Sequence, residues 1–281
     1  MNGTDDLKKL VKEKYAHIAG QTLEENATSC CGVGGCSTVD YAVFAEDYTK
    51  MKGYVADADL GLGCGVPTEF AQMKPGDTVI DLGSGAGNDV FVSRAIVGEK
   101  GRVIGVDMTE EMIAKARVNC ERLGFNNVEF RLGDIEKLPV SADVADVVIS
   151  NCVLNLVPNK ERALQEIFRV LKTGGHFSIS DVVTADTLPA SILTATELYA
   201  GCVAGAMKKD EYLAIMKKAG FENIRIVKEK PIHVPDEILL QSLDEDELRR
   251  YRASNNTILS VTVYGEKNAC CSPGCCEAGK S

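Results

Sequence analysis

The chain opens with apolar residues at helical spacing, Leu7, Leu10, Val11, Tyr15 and Ile18, stopped by Gly20, which predicts a helix over residues 5–19. A polar stretch, QTLEENATSCCGVGGCS, follows it. The pattern then predicts a short helix over 39–52 and a glycine-rich loop, ADADLGLGCGVP, which closes where Pro67 starts the next helix. From PGDTVIDLG onward the period changes. Short apolar runs (TVIDL, RVIGVD, NVEFRL, DVVIS, HFSISDVV) alternate with helical patterns over 88–97, 109–123 and 159–171, and that alternation predicts a parallel sheet covered on both faces. It breaks at LPASILTATELYAGCVAGAM and resumes with a helix over 208–219. Two late β-rich runs, NIRIVKEKPIHV and TILSVTVYGEK, flank a helical insert over 236–253 and are expected to form an antiparallel edge pair.

The expected fold is therefore α/β: a doubly wound, mostly parallel sheet with an antiparallel edge pair and lid segments. Four parts are expected. Residues 1–66 form a helical segment and cysteine-bearing lid, 67–186 the nucleotide-binding core, 187–267 an insertion with helices and edge strands, and 268–281 a flexible tail. The tail, with NACCSPGCCEAGK at its start, carries four cysteines and no core-forming pattern.

Composition narrows the function. The 281 residues are 45% hydrophobic, enough for a buried core. A net charge of −10, spread along the chain, argues against nucleic acid or an anionic membrane as partner and for a small soluble substrate. No apolar run approaches the roughly 20 residues of a membrane helix, and the start, MNGTDDLKKLVKEKY, is charged, so a cytoplasmic protein is expected. In a reducing compartment, 11 cysteines point to metal binding, redox work or catalysis more than to disulfides.

VIDLGSGAGND sets Gly83, Ser84, Gly85 and Gly87 between an apolar strand and a helix, where glycines allow a tight turn and close approach to a ligand. Asp81, Asp107 and Asp134 all fall at carboxyl ends of strands, the binding edge of such a sheet. Asp107, followed by Met108, is placed to accept from ribose hydroxyls, and Asp134, followed by Ile135, from an adenine amino group. No Lys or Arg follows the turn before Arg94, so a cationic nucleoside suits it better than a pyrophosphate. In DLGSGAG, GVDMT, GDIEKLP and DVVISNCVLNLV together, residues 70–185 resemble the class I S-adenosylmethionine-dependent methyltransferases.

Three thiols can converge above that edge. Cys152 follows the fourth strand after Asn151, Cys64 lies in the glycine-rich loop, and Cys202 in YAGCVAGAM. Such a set suits a soft, thiophilic centre such as trivalent arsenic. Zinc is the rival ligand, yet these cysteines lack the paired spacing common in zinc sites. The histidines, His17, His176 and His233, sit in unrelated contexts and read as packing or surface residues.

With SNCVLNLVPNK, RVLKTGG and GCVAGAM added, residues 40–222 resemble the arsenite methyltransferases, most closely the microbial branch. The resemblance implies methyl transfer from S-adenosylmethionine to arsenite, giving mono- and dimethylated arsenicals, with a third methylation open. Cys64, Cys152 and Cys202 carry over as arsenic-facing residues, and Cys36 is the best match to an amino-terminal family cysteine, with Cys30 and Cys31 in the same stretch. An external thiol reductant, thioredoxin or glutathione, is implied, with no metal cofactor and a monomeric state. Tyr54 and Asp57 are expected near the methionine end of the cofactor, Asn151 beside it, and the tail as an arsenic collector. Two other readings stay open: a class I methyltransferase for a carbon, nitrogen or oxygen acceptor, and a metalloid-binding protein without catalysis.

Overall fold

The computed structural model describes residues 4–22, 46–186, 205–233, 236–240, 243–254 and 257–268. The helices are α1 (Thr4–Ala19), α2 (Pro67–Phe70), α3 (Asn88–Val97), α4 (Glu110–Leu123), α5 (Lys160–Val170), α6 (Lys209–Lys218), α7 (Asp236–Leu239) and α8 (Glu245–Ala253). The strands are β1 (Thr78–Leu82), β2 (Arg102–Asp107), β3 (Val128–Leu132), β4 (Ala145–Asn151), β5 (Leu171–Thr184), β6 (Met207–Lys208), β7 (Glu222–Ile232) and β8 (Ile258–Glu266).

They join one sheet in the order β3-β2-β1-β4-β5-β8-β7, with the short β6 on the end of β5. Strands β1 to β5 pair in parallel; β8 runs antiparallel to both β5 and β7. This is the doubly wound sheet and antiparallel edge that the apolar runs imply. Helices on both faces explain why β1 and β4 read as unbroken apolar stretches: Val79, Ile80, Leu82, Val147, Val148 and Ile149 are all fully buried. The helices dock through stripes. In α5, Ala163, Leu164, Ile167 and Val170 are buried on one side, and Asn159 caps the start by accepting from the Arg162 amide at 2.9 Å.

Three expectations need correction. The described part of the 39–52 segment is turn, not helix: the Asp47 carboxylate takes the Thr49 amide at 2.9 Å and Gly53 has φ +92°. Strand β5 starts at Leu171, earlier than its apolar run, because it continues past Gly174-Gly175 with a register slip against β4. The insert over 236–253 is two helices, since Asp244 opens α8 with a capping box to Glu247. Among the described residues no helix is long and apolar enough to cross a membrane.

Candidate functional site

Strand order reverses between β1 and β4, so the loops leaving these strands diverge and open a cleft at their carboxyl ends. The cleft runs from the glycine turn, past Asp107, to Cys152. Gly83, Gly85 and Gly87 adopt φ of +67°, +50° and +102°, a region that side chains resist. The turn is tied to β2: the Gly83 and Ser84 amides donate to the Val106 carbonyl at 2.7 and 3.0 Å. The Asp107 carboxylate accepts the Gly85 amide at 3.0 Å and the Thr109 amide at 2.8 Å, which fixes its orientation at the cleft wall.

Three carboxyls crowd this floor. Burial pushes Asp81 well above the usual carboxylate range, and the charges of Asp89 and Asp107 push it further. Burial raises Asp89 to about 6 against the hydrogen bonds from Asn151 and Tyr48 that lower it, and raises Asp107 against its backbone donors. Among the described residues Lys8 is the one basic residue lining the cleft, and it is paired with Asp134 at 2.6 Å and Glu136 at 2.5 Å. The net field favours a cation. Ser84 Oγ and Asn88 Oδ1 line the same space, buried and with no hydrogen-bond partner among the described residues. A nucleoside bearing a sulfonium and an ammonium group fits these polar atoms and charges.

Met108 and Ile135 line the cleft as expected, and so do Asp134 and Asn151. Asp134, however, meets the α1 side chain of Lys8, which sequence reading did not anticipate. Tyr54 and Asp57 do not line the cleft. Tyr54 packs with Tyr48, Val66 and Val92 and reaches the cleft only through its hydrogen bond to Asp59, while exposed Asp57 pairs outward with Arg122 at 3.2 Å. Cys36 and Cys202 lie outside the described residues, as do Cys30, Cys31 and the tail cysteines.

Cys64 and Cys152 do come together. Their sulfurs and a carboxylate oxygen of Asp181 all lie within 4.8 Å of one another, and the three residues are 1%, 8% and 0% exposed. Cys152 holds φ +61°, a left-handed conformation costing a non-glycine residue about 1–2 kcal/mol, while its amide bonds to the Ser180 carbonyl at 2.8 Å. The thiols sit in a buried apolar cluster with Val11 of α1, Leu239 of α7, Tyr251 of α8 and Ile258 of β8. This apolar roof, as we call the cluster, leaves the thiols little exposed to water and keeps the local dielectric low.

The loop bearing Cys64 is held by Asn151. Its Oδ1 accepts the Cys64 amide at 3.1 Å, and its Nδ2 donates to the Gly65 carbonyl at 2.8 Å, to the Tyr48 hydroxyl at 2.9 Å and to Asp89 at 3.2 Å. Gly63 (φ +110°) passes so close that a Cβ there would sit 2.7 Å from Asn151 Nδ2. Sequence reading assigned Asn151 to the cofactor. Here it is also the latch that positions a thiol. Sequence reading gave no role to Tyr48, Asp181 or Tyr212; the one visible signal was an aspartate inside the apolar run HFSISDVV.

A family model described as a methyltransferase domain matches residues 73–220. A Halobacterium salinarum protein named arsenite methyltransferase is 45% identical over 235 residues, 79% of this chain and 59% of that protein. One of the same name from Aquipseudomonas alcaligenes is 39% identical over 243 residues, 84% of this chain and 68% of that protein. The crystal structure of CrArsM, an arsenic(III) S-adenosylmethionine methyltransferase from Chlamydomonas reinhardtii, matches with a TM-score of 0.62 at 33% identity over 73% of this chain and 68% of its own. The chain thus spans about three-fifths to two-thirds of the length of the curated relatives it matches. The match over more than half of the chain, the identities and the shared fold agree: the chain belongs to the methyltransferase-domain family and, within it, to the arsenite methyltransferases.

Proposed function

We propose that this chain methylates trivalent arsenic with S-adenosylmethionine as donor. The observation that carries the reading is the meeting of Cys64 and Cys152, far apart in sequence, beside a carboxyl-lined nucleoside cleft. Asp107 would hold the ribose, Ile135 and Met108 would flank the adenine, and the field of Asp81 and Asp89 would hold the cationic end. Bound there, S-adenosylmethionine supplies an electrophilic methyl group on a positively charged sulfur.

The chain's own residues do the rest. Thiolates bind arsenic strongly and leave its lone pair in place, so the substrate itself is the nucleophile and no general base is required. Asn151 sets the position of one thiol, the left-handed turn at Cys152 sets the other, and the apolar roof keeps water from competing. Methylation of the lone pair leaves arsenic pentavalent. Two electrons from a pair of thiols, which close to a disulfide, return it to the trivalent state. We assign that pair to Cys36 and Cys64, with thioredoxin or glutathione reopening the disulfide and the chain working as a monomer. Cys202 completes the thiol set, and the cysteine tail collects arsenite.

The test is arsenic speciation by chromatography and mass spectrometry after incubating the purified protein with arsenite, S-adenosylmethionine and a thiol reductant, beside Cys152→Ser. Methylated arsenic from the wild type alone supports the reading. Cofactor binding without methylated arsenic would overturn it and direct attention to carbon, nitrogen and oxygen acceptors.

A further inference from the structure

Asp181 stands beside the thiols and the mechanism above makes no use of it. Its position follows from the sheet. The last β4–β5 rung pairs Asn151 with Ser180, and the Cys152 amide closes on the Ser180 carbonyl, so the next β5 residue, Asp181, falls beside Cys152. Across the sheet Asp181 pairs with Val261 of β8, one residue after Ser260, whose hydroxyl donates to the Cys64 carbonyl. Cys152 lines the nucleoside cleft and Asp181 does not, so the carboxylate meets the thiols from outside the cleft.

The carboxylate is held in place and charged. Tyr212 of α6, fully buried, donates its hydroxyl to Oδ2 at 3.0 Å, and the Val182 amide donates to Oδ1 at 2.9 Å, with a further backbone bond from Asn155. Burial raises its pKa to about 6; these donors and the charge of Lys160 keep it from rising further, so it is ionised at neutral pH. An anion fully removed from water is costly, and a cation formed beside it offsets that cost.

Resting on the arsenic reading above, we propose that Asp181 stabilises the positive charge that arsenic acquires as it takes a methyl group. Arsenic held by three thiolates is trivalent and neutral and keeps its lone pair. That pair becomes the new As–C bond. The S–C bond of the sulfonium breaks, and its electrons stay on the departing sulfur, which becomes a neutral thioether. No proton moves. The positive charge thus passes to arsenic, now pentavalent, and arrives where an anionic oxygen stands within 4.8 Å of two of the ligating sulfurs. A fixed charge aimed at where charge develops lowers the barrier without having to rearrange, and it does so most in a site kept from water.

The same charge is removed in the reduction that follows. A Cys36 thiolate attacks the Cys64 sulfur; the S–S bond forms, the As–S bond to Cys64 breaks, and its electron pair returns to arsenic. Arsenic is again trivalent and neutral, on the two remaining thiolates. Asp181 therefore acts on methyl transfer and not on capture, because the captured arsenic carries no charge.

The experiment compares wild type with Asp181→Asn, which is matched in shape but neutral. With protein in excess, arsenic speciation follows one methyl transfer, and equilibrium dialysis measures arsenite affinity. Transfer should slow by about 10- to 100-fold, less than the roughly 100- to 1000-fold of a lost oxyanion-hole donor, because the charge has moved only partway in the transition state. Arsenite affinity should stay within about twofold, which also shows that the variant is folded; if it does not fold, Asp181→Ala, equally neutral, takes its place. A second readout needs no methylation. The reduced, arsenic-free protein is treated with an aminoethyl and a hydroxyethyl thiosulfonate, similar in size but cationic and neutral, and modification of Cys152 is read by peptide mass spectrometry. The ratio of cationic to neutral reaction, from which any general loosening cancels, should fall several-fold in Asp181→Asn. Unchanged transfer, an unchanged ratio, or arsenite affinity that falls as far as transfer overturns the proposal. If the wild type binds arsenite and cofactor but methylates nothing, the functional reading fails, and the reagent ratio alone decides whether the carboxylate favours a cation at the thiols.

Discussion

Replacing Asn151 by alanine should release the Cys64 loop. The side chain makes four hydrogen bonds, and the structure shows which losses are covered. The Gly65 carbonyl keeps the Tyr48 hydroxyl at 3.1 Å, and Asp89 keeps the same hydroxyl at 2.9 Å. The Cys64 amide loses its acceptor, and Asp89 loses a charge-assisted donor. At about 1 kcal/mol for the neutral bond and about 1.5–3 kcal/mol for the charged one, the loss comes to about 3 kcal/mol. A chain of this size should then melt about 6–12 °C lower. If the loop opens locally, the same energy corresponds to roughly 100-fold faster opening of Cys64, which is only 1% exposed. Alkylation of the reduced protein, read by peptide mass spectrometry, measures Cys64 separately from Cys152. Tyr48→Phe, which leaves the Asn151–Cys64 bond in place, should accelerate Cys64 far less. An Asn151→Ala protein with unchanged melting temperature and unchanged Cys64 alkylation would refute the latch.

The pH dependence of stability should carry the signature of Asp89. Its folded value is raised to about 6 from an ordinary 3.8, so the folded state holds the proton more tightly. The stability this group contributes is full below about pH 4 and lost as pH rises through about 6, on the order of 3 kcal/mol in all. Relative to Asp89→Asn, the wild type should therefore lose ground between pH 4 and 7 in urea titrations; a flat difference would contradict the assignment. Lys8→Met should loosen α1 by about 1 kcal/mol, since its partly exposed ion pairs are discounted by solvent. Hydrogen exchange in residues 4–19 should speed up by several-fold, and unchanged exchange would show that apolar packing alone holds the helix.

The core of the fold was legible because its signals are local. An apolar run such as TVIDL and the glycines after it specify a strand and a turn within a dozen residues, and the structure places β1 and the turn there. The meeting of Cys64 and Cys152 was legible, since a thiol at the end of a central strand and one in a glycine-rich loop over that edge stand out in the sequence. What escaped was set by long-range pairing. Tyr48 meets Asn151 across 103 positions and Ser260 meets Cys64 across 196, and no periodicity encodes such contacts. Asp181 drew no role because β8, which pairs with β5 beside it, comes from far along the chain. Tyr54 was misplaced for a related reason: closeness in sequence to Cys64 says nothing about which side of a glycine-rich loop a ring will take.

Strand β8 gives the molecule an order of assembly. Its residues lie between β5 and β7 although they follow both in the chain, and they supply Ser260 to the Cys64 carbonyl and Ile258 to the roof over the thiols. During synthesis the amino-terminal strands emerge first and can begin to pair, but the thiol chamber stays open until residue 266 has left the ribosome. At about 5–20 residues per second, more than 100 residues separate the appearance of Cys152 from that of β8, a window of roughly 5–20 seconds. For that interval the Ser260 contact and Ile258 are missing, and both thiols are open to oxidants. The exposure of these thiols to oxidation is therefore greatest in the nascent chain and not in the finished protein.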